Sequence, residues 1–389
     1  MRKEAVSLLG LTALILSFPL PFLSLKPNRV AEGTAARLWD LPASALLATL
    51  VAAVIILALL ILIRALRSRL VIRSIIAAGV VSIALAVVEF SSMSLMEMQG
   101  IMSGRAAPGP GFWLAAGGSY IVLYDTLRRM EQKRAVRLLI TGGAIVALLA
   151  VLLLGPSEAL GIVQEYRNRQ ARFWQELASH LMLSGVSVFG SIVIGTPLGM
   201  WAFRNRKIER PVFAVANGLQ TIPSLALFGL LIAPLAFLSR QVPFLRAIGI
   251  RGVGSTPAII ALILYGLLPI VRNTFIGLKS IDVGVVDAGR GMGMSRRELL
   301  LMVQVPIALP IILTGVRITA VQTIGNAAVA ALIGARGLGN FVFQGLGQAA
   351  PDLIVLGVIP IVMLAVVVDR IMDAVIKSLS PKNRVRIAQ

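Results

Sequence analysis

Long apolar runs separated by short polar segments make up most of this chain. Ten runs reach the length of a membrane-spanning helix, because about 20 apolar residues cross the hydrocarbon core of a bilayer. The pattern therefore predicts an all-α, polytopic membrane protein with about ten transmembrane helices. We place the predicted spans at residues 5–25, 43–63, 74–95, 111–127, 138–155, 179–203, 211–237, 256–276, 305–333 and 352–376.

The composition supports this class and narrows the chemistry. Hydrophobic residues make up 57% of the chain and charged residues 14%, whereas a soluble domain is nearer half apolar and a quarter charged. The chain has no cysteine and one histidine, which excludes a disulfide, a thiolate metal site and a histidine-rich metal site. We expect neither a cofactor nor a bound metal.

The net charge of +20 would suit nucleic-acid binding, but the basic residues are spaced like topology signals. With a cytoplasmic N-terminus and ten spans, the inside segments hold 25 Lys or Arg and the outside segments hold 11, while Arg317 lies within a span. This asymmetry predicts that both termini are cytoplasmic. We expect a multi-pass protein of the bacterial inner membrane, with no nucleic-acid partner.

Polar punctuation divides the chain into four parts. Residues 1–155 form an N-terminal membrane region of about five helices, whose first run reads as a retained helix rather than a signal peptide. A periplasmic linker follows at 156–178, either as an amphipathic interfacial helix or as a solvated connector. A second membrane region spans 179–376, and a cytoplasmic tail spans 377–389.

The most informative inside segment, 287–306, is here called the elbow. Its pattern predicts two short helices joined by a glycine turn at Gly291 and Gly293, and Ser295 with Glu298 forms a capping box that opens the second helix. The elbow resembles the signature of binding-protein-dependent ABC importer permeases. The matching positions are Asp287, Ala288, Gly289, Gly293, Val303, Val305 and Pro306, with mild departures at Asp287, Gly289 and the two valines.

This resemblance implies that residues 179–376 form the permease domain of an ABC importer, so that the C-terminal half is a type I permease core. The elbow would then be the ATPase-coupling loop, in which small residues at 288 and 289 let the helix seat against an ATPase and Gly293 sets the bend. The implied partners are cytoplasmic ATPase subunits, a periplasmic substrate-binding protein and a second permease chain, the same or similar. The chain itself is expected not to be an enzyme, because it lacks a phosphate-binding loop.

Three further stretches, 220–231, 258–273 and 331–339, resemble the branch of this family that imports glycine betaine and related quaternary-amine osmoprotectants. The N-terminal half is similar to a sub-branch with extra N-terminal spans. Arg336 stands where the family commonly has glycine, which implies that gating or contact with the binding protein differs there.

Six polar, proline or aromatic residues within the spans are candidates for the translocation pathway. Pro223 would interrupt a helix, as transporters often do near a pathway, or it is a simple kink. The polar pair in span nine lines the pathway or cements helix packing. The candidates are Thr221, Pro223, Ser224, Tyr265, Gln322 and Asn326.

The sequence thus favours an importer permease for osmoprotectants, with ATP hydrolysed on a partner chain. Three alternatives stay open: an ABC permease for another small solute such as an amino acid, a self-sufficient secondary transporter, and a non-transporting scaffold. Intramembrane carboxylates, which secondary transporters often use for ion coupling, are scarce here.

Overall fold

The computed structural model describes residues 5–28, 31–41, 69–99, 104–130, 134–154, 157–247 and 249–380. The predicted second span and residues 381–389 of the predicted tail lie outside these ranges. The chain divides into two compact units, Met1–Asn168 with Gln348–Asp352 and Arg169–Gly347 with Leu353–Gln389. The boundary between Asn168 and Arg169 falls within the predicted linker.

The helices described in the first unit are α1 (Ala5–Ser17), α2 (Arg69–Met98), α3 (Pro110–Arg129), α4 (Arg134–Leu154) and α5 (Gly161–Asn168). The prediction of a first helix over 5–25 was wrong at its end. Helix α1 stops at Ser17 because Pro19 and Pro21 follow, and proline neither donates to the helical ladder nor allows a helical residue before it. At 13 residues, α1 is shorter than a membrane-spanning helix.

A small antiparallel sheet, which the sequence analysis did not predict, follows α1. Strand β1 (Leu23–Lys26) lies between β2 (Thr34–Ala36) and β3 (Arg105–Pro108). Ala106 of β3 also bridges to Leu160, and Arg105 pairs with the buried Glu165 of α5 at 2.5 Å. The sheet therefore brings together the ends of three segments that the charge pattern had assigned to one side of the membrane.

Close backbone contact attaches α1 to α3. A Cβ built at Gly10 would lie 2.7 Å from the carbonyl oxygen of Gly118, so small residues are required where the helices cross. At the same interface Ser7 donates a hydrogen bond to Asp125, and Asp125 pairs with Arg129 at 2.6 Å. The interface thus places a carboxylate against a cation rather than leaving it unpaired.

The second unit is built from nine labelled helices in the described residues. The structure differs from two of the predicted spans: the helix of the sixth span begins earlier than predicted, and the seventh span consists of two helices. The helices are α6 (Gln170–Arg204), α7 (Arg206–Thr221), α8 (Ser224–Gln241), α9 (Pro243–Ala247), α10 (Ser255–Lys279), α11 (Val283–Gly291), α12 (Val305–Val329), α13 (Gly339–Gly347) and α14 (Pro351–Leu379).

The early start of α6 determines the surroundings of His180, the single histidine of the chain. Helix α6 begins at Gln170, so His180 lies within the helix and is fully buried. Its Nε2 atom is 3.1 Å from the carbonyl oxygen of Ile324 in α12. The side chain therefore links two helices.

Within the described residues, six helical segments are long and apolar enough to cross a membrane. They are Arg73–Met98, Gln170–Arg204, Ser224–Gln241, Ser255–Lys279, Arg296–Ile333 and Pro351–Leu379. This confirms an all-α, polytopic architecture, with the small sheet as an addition.

Helix α10 packs closely against both α6 and α12 because glycines line the contacts. A Cβ at Gly199 of α6 would lie 2.8 Å from the carbonyl oxygen of Val271 and 2.7 Å from the Cβ of Thr274. From the other side, a Cβ at Gly315 of α12 would lie 2.7 Å from the carbonyl oxygen of Pro269. Because apolar burial does not drive association within lipid, such close packing is a main source of cohesion.

Arg317, the charged residue within a predicted span, pairs with two aspartates of another helix. Its Nε and NH2 atoms donate to the two carboxylate oxygens of Asp369 at 2.6 and 2.8 Å, and its NH1 atom donates to Asp373 at 3.1 Å. This network joins α12 to α14 and neutralises the guanidinium within the membrane region.

We predict that Gly199→Ala lowers the thermal midpoint of the purified protein in detergent, because the added methyl group meets backbone and costs about 1–3 kcal/mol. Gly185→Ala on the same helix is the matched control, since a Cβ there meets no atom within 4 Å. Equal midpoints for the two variants would contradict the proposed close packing.

Candidate functional site

The first arm of the elbow is helix α11, which is held at both ends by local hydrogen bonds. At its start, the side chain of Asp282 accepts a hydrogen bond from the backbone N–H of Gly284 at 2.7 Å. At its end, Gly293 has φ +82°, a left-handed conformation that favours glycine. Gly291 is instead the last residue of the helix, so the turn predicted at both glycines depends on Gly293 alone.

The second arm opens with the predicted capping box. The backbone N–H of Ser295 donates to Glu298 at 2.8 Å, and the N–H of Glu298 donates to the Ser295 hydroxyl at 3.3 Å. The arm continues as a π-helix over Leu299–Gln304, which contains the half-buried Val303, and enters α12 at Val305 and Pro306. The elbow therefore runs without a flexible connector into a membrane-spanning helix.

The two arms pack against each other at Gly289. This glycine is buried, and a Cβ there would lie 2.5 Å from the Cδ1 atom of Leu299. Ala288 is exposed, and so is Asp287, which pairs with Arg290 at 3.2 Å. Of the two small residues, Gly289 thus serves the packing of the elbow itself, while Ala288 faces outward.

Large apolar side chains are exposed on and beside the elbow, and the sequence analysis did not single them out. Val283, Met292 and Met302 have relative exposures of 70%, 72% and 69%. Exposed apolar side chains within a short polar segment are available for contact with a partner protein. In the sequence, the only sign of this exposure is that these apolar residues occur in a segment otherwise rich in glycine and charged residues.

The break between α7 and α8 is held by Tyr265 of α10. Pro223 has no N–H to donate, and the helix resumes at Ser224. Across the break, the Tyr265 hydroxyl donates to the carbonyl oxygen of Ile222, while the side-chain amide of Gln220 donates to the carbonyl oxygen of Tyr265 at 2.8 Å. The structure thus joins two of the pathway candidates, Pro223 and Tyr265, at one interruption.

The remaining pathway candidates are less closely linked to this break. Thr221 donates to the carbonyl oxygen of Gly218 in its own helix at 2.7 Å. Ser224, Gln322 and Asn326 are half-buried. Gln322 and Asn326 lie on α12, and their place on a pathway stays a prediction. In the described residues no group of three or more His, Asp or Glu is placed to hold a metal ion.

Two family matches divide the chain in a way similar to the two structural units. Residues 191–385 match the family described as binding-protein-dependent transport system inner membrane component. Residues 2–163 match the family described as ABC transporter permease YehY, N-terminal domain.

Several curated proteins are similar over about half of this chain and most of their own length. The carnitine transport permease protein OpuCB of Listeria monocytogenes is 41% identical over 215 residues, which are 55% of this chain and 89% of that protein. The osmoprotectant import permease protein OsmW of Salmonella typhimurium is 41% identical over 204 residues, or 52% of this chain and 90% of that protein. Among solved structures, the MetNI methionine ABC transporter in an inward-facing conformation is 25% identical, with a TM-score of 0.47, and the alignment covers 54% of this chain and 96% of that one.

We predict that Tyr265→Phe loosens the α7–α8 break. The variant leaves the Ile222 carbonyl without its hydroxyl donor, a loss of about 1–3 kcal/mol. The backbone amides of residues 221, 222 and 224–227 should therefore exchange hydrogen about 10-fold faster by mass spectrometry. Tyr120→Phe, which alters an exposed ring on α3, should leave those amides unchanged. Unchanged exchange in Tyr265→Phe would show that the hydroxyl does not hold the break.

Proposed function

This chain belongs to the family of binding-protein-dependent transport system inner membrane components, and we propose that it is the importer permease through which glycine betaine or a related quaternary-amine osmoprotectant enters the cytoplasm. The proposal is supported by the match over residues 191–385 together with relatives that are 41% identical and named for carnitine or osmoprotectant transport. The solute is the finer part of the proposal.

In this proposal the elbow receives the motion of a cytoplasmic ATPase. The exposed Val283, Met292 and Met302 offer apolar contact to that partner, and Ala288 and Asp287 face outward beside them. Because the arms are locked by the Gly289–Leu299 contact and by the capping box, a force applied to α11 passes into α12 instead of bending the loop. The chain itself performs no bond chemistry in this scheme.

The solute would cross where helices can rearrange between inward-open and outward-open states. The α7–α8 break supplies a discontinuity in the membrane region, and discontinuous helices are a frequent feature of transporter pathways. Thr221, Pro223, Ser224 and Tyr265 lie at or against this break. A second permease chain, identical or similar, would complete the pathway.

The proposed sidedness places both termini in the cytoplasm and the elbow on the ATPase side. Support comes from each unit taken by itself. In the first, segments predicted to lie outside meet in the small sheet. In the second, the N–H of Gly254 donates to the carbonyl oxygen of Ile333, the last residue of predicted span nine, at 2.9 Å. A Cβ built at the next residue, Gly334, would lie 3.2 Å from Cγ1 of Val253, so two further predicted outside segments meet there.

The direct test is reconstitution of the permease with its ATPase and binding protein in liposomes. We expect uptake of radiolabelled glycine betaine that requires ATP inside the liposome and the binding protein outside. Gradient-driven uptake by the permease alone would favour the secondary-transporter alternative instead. Uptake of amino acids but not of quaternary amines would be consistent with the family but would contradict the proposed solute.

The elbow gives a sharper prediction within the same assay. Gly293→Ala places a side chain at φ +82°, which costs about 1–2 kcal/mol, so we expect ATP-driven uptake to fall several-fold while the permease remains in the membrane. Gly291→Ala is the matched control, because a Cβ there meets no atom within 4 Å. Equal uptake by both variants would contradict the role of the bend in coupling.

A further inference from the structure

A polar pocket of about 430 Å³ lies in the second unit, where the start of α6 meets the loop before α13. It is lined by Arg172, Gln175, Glu176, Arg336 and Asn340. The first three belong to a segment predicted to lie outside the membrane, and the last two belong to another such segment. The pocket is therefore a feature of the predicted outer face.

The one carboxylate in this pocket, Glu176, forms hydrogen bonds within the protein. Glu176 is buried and accepts hydrogen bonds from the backbone N–H of Gly337 at 2.7 Å and from the side chain of Asn340 at 2.9 Å. Its other oxygen lies 3.5 Å from Nε of Arg172. Glu176 thus fixes the loop that carries Arg336.

The two arginines of the pocket are less fully paired than Glu176. Arg336 is exposed and makes no hydrogen bond or ion pair with the described residues. Arg172 has 40% of its side chain exposed, and its guanidinium stands 5.6 Å from the ring centre of Phe341, a contact that holds the group in place. Two guanidinium groups and one carboxylate leave a net positive charge in this pocket.

We propose that this pocket seats an acidic side chain of the solute-binding protein when that protein docks on the outer face of the permease. The inference rests on the proposed function, because the family is described as binding-protein-dependent. Charge complementarity selects the occupant: arginine offers forked donors to a carboxylate, and the local excess is positive. Arg336 is the steering contact, and Glu176 is the residue that positions it.

The test is a titration of purified, solute-loaded binding protein against the ATPase activity of the complete importer in liposomes. Arg336→Glu should raise the half-saturating concentration of binding protein by about 10-fold, and Arg336→Ala by about 3-fold, since like charge repels across an interface. Arg336→Lys should retain most of the wild-type affinity. Basal ATPase activity without binding protein should be the same in all variants, and the wild-type half-saturation should rise with salt more steeply than that of Arg336→Ala.

The matched control is Arg246→Glu, which reverses an exposed charge on α9 in another predicted outside segment. If Arg246→Glu and Arg336→Glu shift the titration equally, the effect belongs to the general field of the outer face and the pocket assignment fails. The assignment fails also if the titration curve of Arg336→Glu superimposes on that of the wild type. It fails too if, at saturating binding protein, the variant alters the uptake of carboxylate solutes but not of choline, because the pocket then binds the solute and not the binding protein. A wild-type importer that shows no stimulation by any binding protein would overturn the proposed function itself.

Discussion

A membrane interior supplies no water to backbone polar groups, and this constraint governs how the second unit is built. Wherever a helix is interrupted, the protein must provide the missing partners. At the α7–α8 break, Tyr265 supplies a donor to the Ile222 carbonyl while Gln220 fastens the other side of the junction. Arg317 obeys the same rule for charge, because its guanidinium is shared between two aspartates of α14. At both of these places in the second unit, a neighbouring helix supplies the partner that water cannot.

Close packing between helices would make any motion of the second unit concerted. Glycines draw α10 against α6 and α12 until backbone meets side chain, so none of the three can shift far without displacing the others. The elbow is continuous with α12 and is internally locked at Gly289 and Ser295. In the proposed function, such a body would respond to a push on the elbow by rocking rather than by local bending, and the rocking of rigid parts is one way in which alternating access arises.

The apolar pattern was enough to predict the class, most of the spans and the capping box, because length, hydropathy and Ser295-to-Glu298 spacing are local signals. It failed where a local signal competed with a tertiary one. The prolines after Ser17 ended α1 early and the freed chain paired as β1, a pairing that depends on residues some 80 positions away. The buried position of His180 follows from a helix that starts at Gln170, whose polar first turns looked like a linker. Gly289 is buried and Met292 is exposed because of how the two arms of the elbow pack against each other, and residue spacing alone does not reveal this packing.

Helix α12 connects the two ends of the proposed machine. It begins at the elbow and ends at a 3-10 turn over Ala330–Ile333, after which the chain enters the loop that carries Arg336. Its 25 residues span about 38 Å at the α-helical rise, more than the hydrocarbon core. Between those ends it is held by Gly315 against α10, by Arg317 against α14 and by His180 of α6 at Ile324. Because one helix runs from the proposed ATPase-coupling elbow to the loop that lines the proposed outer pocket, an ATPase acting inside and a binding protein acting outside would displace the same element. A single rigid displacement would then suffice to link the two, without any separate relay between the faces of the membrane.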